Sequence, residues 1–302
     1  MKIHFTKLHG LGNDFVFIDN RAQDVSLSAG DVRLLCDRHI GVGADGVMLL
    51  EPPYRDGSDY SWTFINADGS VAEMCGNGIR CAARFIEHIG ALEGSVDSLT
   101  IDTLAGPISV SLNRSSCGSS IESFAVDMGS PRTAAADIPT TLAPTGTFTF
   151  GGSTMPVVVD VPLTVLDREY LVTAVSMGNP HAVMWLDPSE GPLSEFRLHE
   201  VGPAIQTSPA FPASVNVEFI VVDSDSHISM RVWERGVGET QACGTGACAV
   251  AFAAYIKGLV SDAVTVSLPG GDLDIRIDEA GNTIWMTGPA VTVFDGTVVT
   301  SG

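Results

Sequence analysis

One sentence of this chain is written twice. Residues 66–78 read NADGSVAEMCGNG and residues 234–246 read ERGVGETQACGTG, each ending in Cys-Gly-x-Gly before a run of small residues. The offset is constant: 243 − 75 = 168 for the cysteines and 234 − 66 = 168 for Glu234 against Asn66. A second echo pairs Gly12-Asn13-Asp14-Phe15 with Gly178-Asn179-Pro180-His181, where 179 − 13 = 166. A repeat of this kind restricts the fold to two copies of one unit, each supplying one thiol at the start of a helix. Related by a pseudo-two-fold, the copies would place their cysteine loops on either side of one cleft. Two opposed thiols suit a reaction that takes a proton from one face of a carbon and returns one to the other.

The pattern of apolar residues places these motifs. Residues 3–8, 15–19, 47–50 and 62–66 alternate or run apolar as strands do. Ser28 is positioned to cap a helix running to Arg38, and a second helix is predicted over 77–89. Residues 99–102 and 108–112 read as a hairpin. The second half repeats the order, with strands at 170–176, 182–186, 215–222 and 230–234, a helix over 244–257, and closing strands at 264–268, 273–277 and 283–287. The stretch 114–156, rich in Ser, Gly, Thr, Pro and Ala, reads as the most linker-like part of the chain. The expected fold is α/β, of α+β type, with each half wrapping a sheet around its central helix. Residues 1–128 are expected to carry Cys75 and residues 129–287 to carry Cys243.

Cys75 and Cys243 hold the chemistry. Unpaired N–H groups at a helix N-terminus favour negative charge. A thiol there is expected to fall from about 8.5 towards the roughly 3.5–7.5 range of activated cysteines. The loops Gly76-Asn77-Gly78 and Gly244-Thr245-Gly246 offer backbone N–H groups that suit a carboxylate, although glycines of this kind also simply serve tight turns. Asn13, Asn66, Asn179 and Asn216 stand at strand ends beside the motifs, where Asn is also a common turn former. His181 occupies the place of Phe15 in the other copy and can tune a thiol or orient an amine. Cys36, Cys81 and Cys248 fall on helices and read as core. Cys117 is assigned no role. Gly41-Val-Gly43-Ala-Asp-Gly46 fits a dinucleotide-binding string, but it follows a helix and precedes a strand, the reverse of what that motif requires.

Composition narrows the class. The net charge of −20, from 16 basic and 36 acidic residues, argues against nucleic acid or an anionic membrane as partner. No apolar run approaches bilayer length. The start MKIHFTKLHGLGNDFVFID alternates like a strand and is not a signal peptide. A cytoplasmic protein with free thiols is expected. Cys-x-x-Cys is absent, and the spacings 75 to 81 and 243 to 248 are not zinc patterns, so no metal is expected.

The stretches KLHGLGNDFVFID (7–19), GVGADGV (41–47), FINADGSVAEMCGNGIRC (64–81), MGNPHAV (177–183), VNVEF (215–219), ERGVGETQACGTGAC (234–248) and MTGPAV (286–291) resemble the diaminopimelate epimerase family, in order and along nearly the whole chain. The resemblance implies two similar barrel-like mixed sheets, each around a central helix, with a C-terminal strand over 288–302 returning to complete the first domain. It implies a cofactor-independent epimerase converting LL-2,6-diaminopimelate to the meso isomer, for lysine and peptidoglycan precursors. Cys75 and Cys243 would be the acid/base pair, and His181 and Glu234 would modulate the thiols. Asn13, Gly46, Asn66, Gly76, Asn77, Asn179, Asn216, Glu234, Arg235, Gly244 and Thr245 would hold the small-molecule substrate. Some relatives have Gln where Gly46 stands. A homodimer is implied, with Phe294 at its contact where some relatives have Tyr. Rival readings are a related racemase acting on proline or hydroxyproline, a thiol redox protein, and a ligand-binding protein with a dead site.

Overall fold

The computed structural model describes residues 2–92, 96–115, 120–166, 168–187, 189 and 191–299; Cys117 lies outside them. In chain order the elements are β1 (Lys2–Gly10), β2 (Asn13–Asp19), α1 (Ala29–Cys36), β3 (Gly46–Glu51), β4 (Tyr60–Asn66), β5 (Val71–Ala72), α2 (Gly76–His88), β6 (Ser98–Thr103), β7 (Gly106–Arg114) and β8 (Ile121–Asp127). There follow β9 (Gly146–Phe150), β10 (Ser153–Val165), β11 (Arg168–Ser176), β12 (Pro180–Trp185), α3 (Leu198–Gln206), β13 (Asn216–Ser224), β14 (His227–Glu234), β15 (Gly238–Glu239) and α4 (Gly244–Ile256). The chain closes with β16 (Ala263–Leu268), β17 (Gly271–Asp278), β18 (Thr283–Gly288) and β19 (Val291–Val299). They form two compact units, Met1–Val126 with Thr287–Gly302, and Asp127–Met286.

In the first unit β1 pairs antiparallel with β19 and β2; β2 runs parallel to β3, β3 antiparallel to β4, β4 parallel to β6, and β6 antiparallel to β7. In the second unit β11, β12, β13, β14, β16 and β17 repeat that sequence of directions: antiparallel, parallel, antiparallel, parallel, antiparallel. β5 on β4 and β15 on β14 are matching short additions. The written repeat is therefore a repeat of topology. β1–β2 and β11–β12 turn through Gly12 and Gly178, whose φ values of 84° and 95° favour glycine.

The central strands are buried on both faces, which explains their nearly continuous apolar runs. Alternate residues point to opposite sides. Val16, Ile18, Val47 and Leu49 pack on α1 with Val32 and Leu35. Phe17 of the opposite parity meets Phe85 of α2, ring centroids 5.2 Å apart. In the second unit Ala182, Met184, Val217 and Phe219 pack with Leu198, Val201 and Ile205 of α3. Residues of the other parity in β12 and β13 therefore face α4, whose residues from Ala247 to Ala254 are all buried. A helix apolar on every side belongs inside a sheet.

Ser28 caps α1 with a complete capping box to Asp31. The helix stops at Cys36 rather than Arg38, because Asp37 turns extended and takes the backbone N–H groups of His39 and Ile40. The linker-like stretch 114–156 holds the boundary between the units, at Val126 and Asp127, and more besides. It contains β8, β9 and the start of β10, and Ile121, Phe124, Val126, Ile138 and Phe150 are buried there. Part of its polar composition belongs to the solvent face of an antiparallel pair, where Thr149 and Thr154 meet across strands, and part to the irregular segment 128–145. No helix among the described residues is long and apolar enough to cross a membrane.

Candidate active site

Each cysteine loop is a helix cap made of sulfur. Cys75 is the N-cap of α2 (φ −146°, ψ 115°) and its Sγ accepts the Gly78 N–H at 3.4 Å. Cys243 is the N-cap of α4 (φ −124°, ψ 107°) and its Sγ accepts the Gly246 N–H at 3.4 Å. Ser, Thr, Asp or Asn normally fills this position. Here a thiol takes the same donor in both units, at the positive end of the helix.

Around Cys75 the amides are locked in one sense. Asn13 Nδ2 donates to Asp45 Oδ2 at 2.7 Å, which turns Asn13 Oδ1 towards the site. That oxygen accepts the Cys75 thiol at 3.8 Å and Asn77 Nδ2 at 3.2 Å. Arg80, fully buried, donates to Asn77 Oδ1 at 2.8 Å and to the Gly76 carbonyl at 3.2 Å, so it holds the loop from beneath. Asp45 is steadied by Arg38 at 2.8 Å, and Arg38 also reaches Asp14 at 2.7 Å. Asp14 in turn pairs with buried Lys7 at 2.6 Å. Burial pushes the Asp14 carboxyl up, but Arg38 and Lys7 more than reverse this and bring it to about 2.

Asn66 closes β4 at a turn, its Nδ2 on Ser70 Oγ at 3.0 Å. Gly46 opens β3, and an added Cβ would lie 2.5 Å from Phe64 Cε2 and 2.8 Å from the Ile65 carbonyl. A side chain at 46 therefore requires Phe64 to move, and Gly46 can offer only its backbone.

The second unit has a different polar set. Thr245 Oγ1 lies 3.5 Å from Cys243 Sγ and accepts Asn179 Nδ2 at 3.2 Å. Asn179 Oδ1 meets His181 Nε2 at 3.0 Å, and His181 Nδ1 meets Glu218 Oε1 at 2.6 Å. Asn216 Oδ1 accepts the Arg235 backbone N–H at 2.8 Å, fixing the turn that carries Glu234-Arg235. Arg235 itself is exposed, one guanidinium N–H on the Ala213 carbonyl at 3.1 Å. Glu234 accepts the Thr240 hydroxyl, yet burial pushes its carboxyl above the ordinary range.

The expectation of a lowered thiol fails at Cys243. Burial pushes this thiol well above 9.0, and the carboxylates of Glu234 and Glu218 push it further; the Thr245 hydroxyl and the Gly246 amide oppose them without winning. Desolvation of a buried thiolate outweighs the helix end. Phe294 is half-exposed on β19 with its ring edge-on to Phe5, centroids 5.9 Å apart.

The predicted site residues thus gather in two constellations. Asn13, Asn77 and Gly76 surround Cys75, while Asn179, His181, Glu234, Gly244 and Thr245 surround Cys243. Asp45, Arg80, Thr240 and Glu218 escaped sequence reasoning. A charge inside an apolar run was the available signal for two of them, Glu218 within VNVEF and Arg80 on the buried face of α2.

A family model described as diaminopimelate epimerase matches residues 5–134 and 173–293. The diaminopimelate epimerase of Thermosynechococcus vestitus is 47% identical over 305 residues, covering 99% of this chain and 100% of that protein. That of a Synechococcus strain is 47% identical over 297 residues, covering 98% of each. Among solved structures, a probable proline racemase from Agrobacterium radiobacter K84 superposes with a TM-score of 0.67 at 14% identity, over 98% of this chain and 93% of that one. A PhzF-family phenazine biosynthesis protein from Bacillus anthracis gives 0.66 at 15% identity, over 99% and 100%. These last two are likenesses of fold. The chain belongs to the diaminopimelate epimerase family, a family of isomerases.

Proposed function

We propose that this chain epimerises LL-2,6-diaminopimelate to meso-diaminopimelate by a two-thiol mechanism without a pyridoxal electron sink. The observation that carries the mechanism is the equivalence of Cys75 and Cys243: each caps a helix and each holds the third amide of that helix at 3.4 Å. One cysteine enters as thiolate and takes the α-proton, becoming a thiol. The other enters as thiol and gives its proton to the opposite face of the carbanion, becoming a thiolate. The reverse reaction exchanges the roles, and the pair titrates as one coupled system. Helix-end N–H groups beside Gly76-Asn77 and Gly244-Thr245 would take the α-carboxylate and stabilise charge as it develops.

In this reading Asn13, Asn66, Asn179, Asn216, Glu234 and Arg235 read the two ammonium-carboxylate ends, and Gly46 contributes backbone. Glu234 supports this through its placement. A substrate ammonium beside it would cancel one of the charges that, after burial, raise the Cys243 thiol, and so would ease formation of the thiolate when substrate is present. We further assign a cytoplasmic homodimer that joins through β19, whose Val291, Val293 and Phe294 are 45–53% exposed. The test is a racemisation assay across LL-diaminopimelate, proline and 4-hydroxyproline. Turnover of diaminopimelate alone is expected; turnover of a cyclic amino acid instead would overturn the substrate assignment.

A further inference from the structure

The two units match register for register, so a difference between them is informative. Phe15 pairs with Gly46 across β2 and β3, and His181 pairs with Asn216 across β12 and β13. Two residues further along, Met48 and Glu218 therefore occupy one place in the repeat. The glycines confirm it. A Cβ on Gly78 would meet Met48, and a Cβ on the equivalent Gly246 would meet Glu218 Oε1. Where the first unit has the apolar pair Phe15 and Met48, the second has His181 and Glu218, both wholly buried. The fold is satisfied by Phe and Met at these places, so the polar pair is not a requirement of the fold.

The pair stands at the end of a continuous chain of hydrogen bonds. Glu218 Oε1 to His181 Nδ1 is 2.6 Å, His181 Nε2 to Asn179 Oδ1 is 3.0 Å, Asn179 Nδ2 to Thr245 Oγ1 is 3.2 Å, and Thr245 Oγ1 to Cys243 Sγ is 3.5 Å. We propose that Glu218 is a positioning residue for Cys243, acting with His181 to fix the sense of this chain so that the Thr245 hydroxyl donates to the sulfur. The inference rests on the reading of Cys243 as an acid/base thiol.

Two observations fix the sense. Glu218 Oε2 has no hydrogen-bond partner among the described residues. A carboxylate facing a neutral ring would leave a net charge on a wholly buried pair with one unbonded oxygen, which is costly, so the 2.6 Å contact holds a proton in addition to the one on the ring's far nitrogen. Whichever side that proton lies on, the pair is neutral and carries a second proton on His181 Nε2. That N–H must donate to Asn179 Oδ1, the amide then donates to Thr245 Oγ1, and the hydroxyl proton is left for Cys243. Without Glu218 the buried ring loses its clamp, its single proton can settle on either nitrogen, and Asn179 is free to turn its amide and reverse the chain. Burial pushes the Glu218 carboxyl up, against the pull of His181.

A direct electrostatic role has the opposite sign. The ionisable groups that bear on Cys243 are Glu234 and Glu218, and a carboxylate beside a thiol simply disfavours the thiolate. Removing it would then make Cys243 more reactive, whereas losing the oriented donor makes it less so.

The test uses full-length Glu218→Leu and Glu218→Gln enzymes, with Cys243→Ala in parallel. Measured are kcat and KM for diaminopimelate, thermal unfolding, and the pH profile of iodoacetamide alkylation at Cys243 in a Cys75→Ala background. Gln can donate its amide to Nδ1 and keep the proton on Nε2. Glu218→Leu is expected to lower kcat by about tenfold or more at a nearly unchanged KM, and to move Cys243 alkylation to higher pH. Glu218→Gln, equally folded, is expected to stay within about threefold of wild type in kcat. Equal losses in Leu and Gln would overturn the proposal, because an amide able to donate to Nδ1 would then not restore the chain; faster alkylation in the Leu variant would overturn it in favour of a direct charge effect, and unchanged activity in both would make the pair merely structural. An active Cys243→Ala enzyme would instead sink the two-thiol reading. A dead Cys243→Ala beside a fully active Glu218→Leu removes only the role of Glu218.

Discussion

An added methyl at Gly246 would stand 3.1 Å from Glu218 Oε1 and 3.2 Å from Cys243 Sγ. Both neighbours must give by a few tenths of an ångström, in a place where sulfur, amide and carboxyl are already bonded. Gly246→Ala is expected to cost at least about tenfold in kcat. Its unfolding free energy should change by no more than about 1 kcal/mol, because the helix propensity of Ala offsets part of the crowding. Circular dichroism melts beside kinetics check the split. Cys243 itself makes a second claim at this scale. A thiol raised well above 9.0 gains thiolate only as pH rises through that value, so its alkylation in the free enzyme should be slow at neutral pH and climb above about pH 9. Mass mapping of the alkylated peptide against pH reads this directly. The motif alone pointed to a helix-end thiol but not to its burial, since the two carboxylates beside it come from β13 and β14.

Elements position the site, and their ends are where sequence reading succeeds or fails. The helices carrying the cysteines lie within a residue of the predicted 77–89 and 244–257, because Cys-Gly-x-Gly marks their starts and small apolar runs their bodies. The stretch 114–156 holds the boundary between the units, as its composition suggests, but its strands are not legible there because exposed antiparallel strands rich in Ser and Thr share the composition of a linker. Ser28 tests local capping apart from chemistry. Ser28→Ala should lower stability by about 1 kcal/mol in urea titrations and leave turnover unchanged. Asp14, at the start of β2, tests the ion-pair cluster behind Asn13. Its carboxyl titrates at about 2 against an ordinary 3.8. A lowered folded value contributes stability above the unfolded value, lost as pH falls through the folded one. Asp14→Asn should therefore remove up to about 2 kcal/mol near neutrality and flatten the acid arm of the stability curve between about pH 4 and pH 2.

Across the whole molecule, the repeat was the most legible feature and its breaks the most telling. The offsets 166 and 168 in the sequence correspond to two units with the same order of parallel and antiparallel pairs. What could not be read was which residues share a proton or lock an amide. Asp45 lies 32 residues from Asn13 and Glu218 lies 37 from His181, and only the parallel pairing of strands brings them together. The central claim is that two thiols exchange a solvent-derived proton at one α-carbon. Its most direct test is to incubate LL-diaminopimelate with the wild-type enzyme, Cys75→Ala and Cys243→Ala in deuterium oxide, and to read deuterium at the α-carbons by NMR. One deuteron is expected at the epimerised centre for the wild type, and no meso product from either variant. Meso product without deuterium, or turnover by either alanine variant, would contradict it.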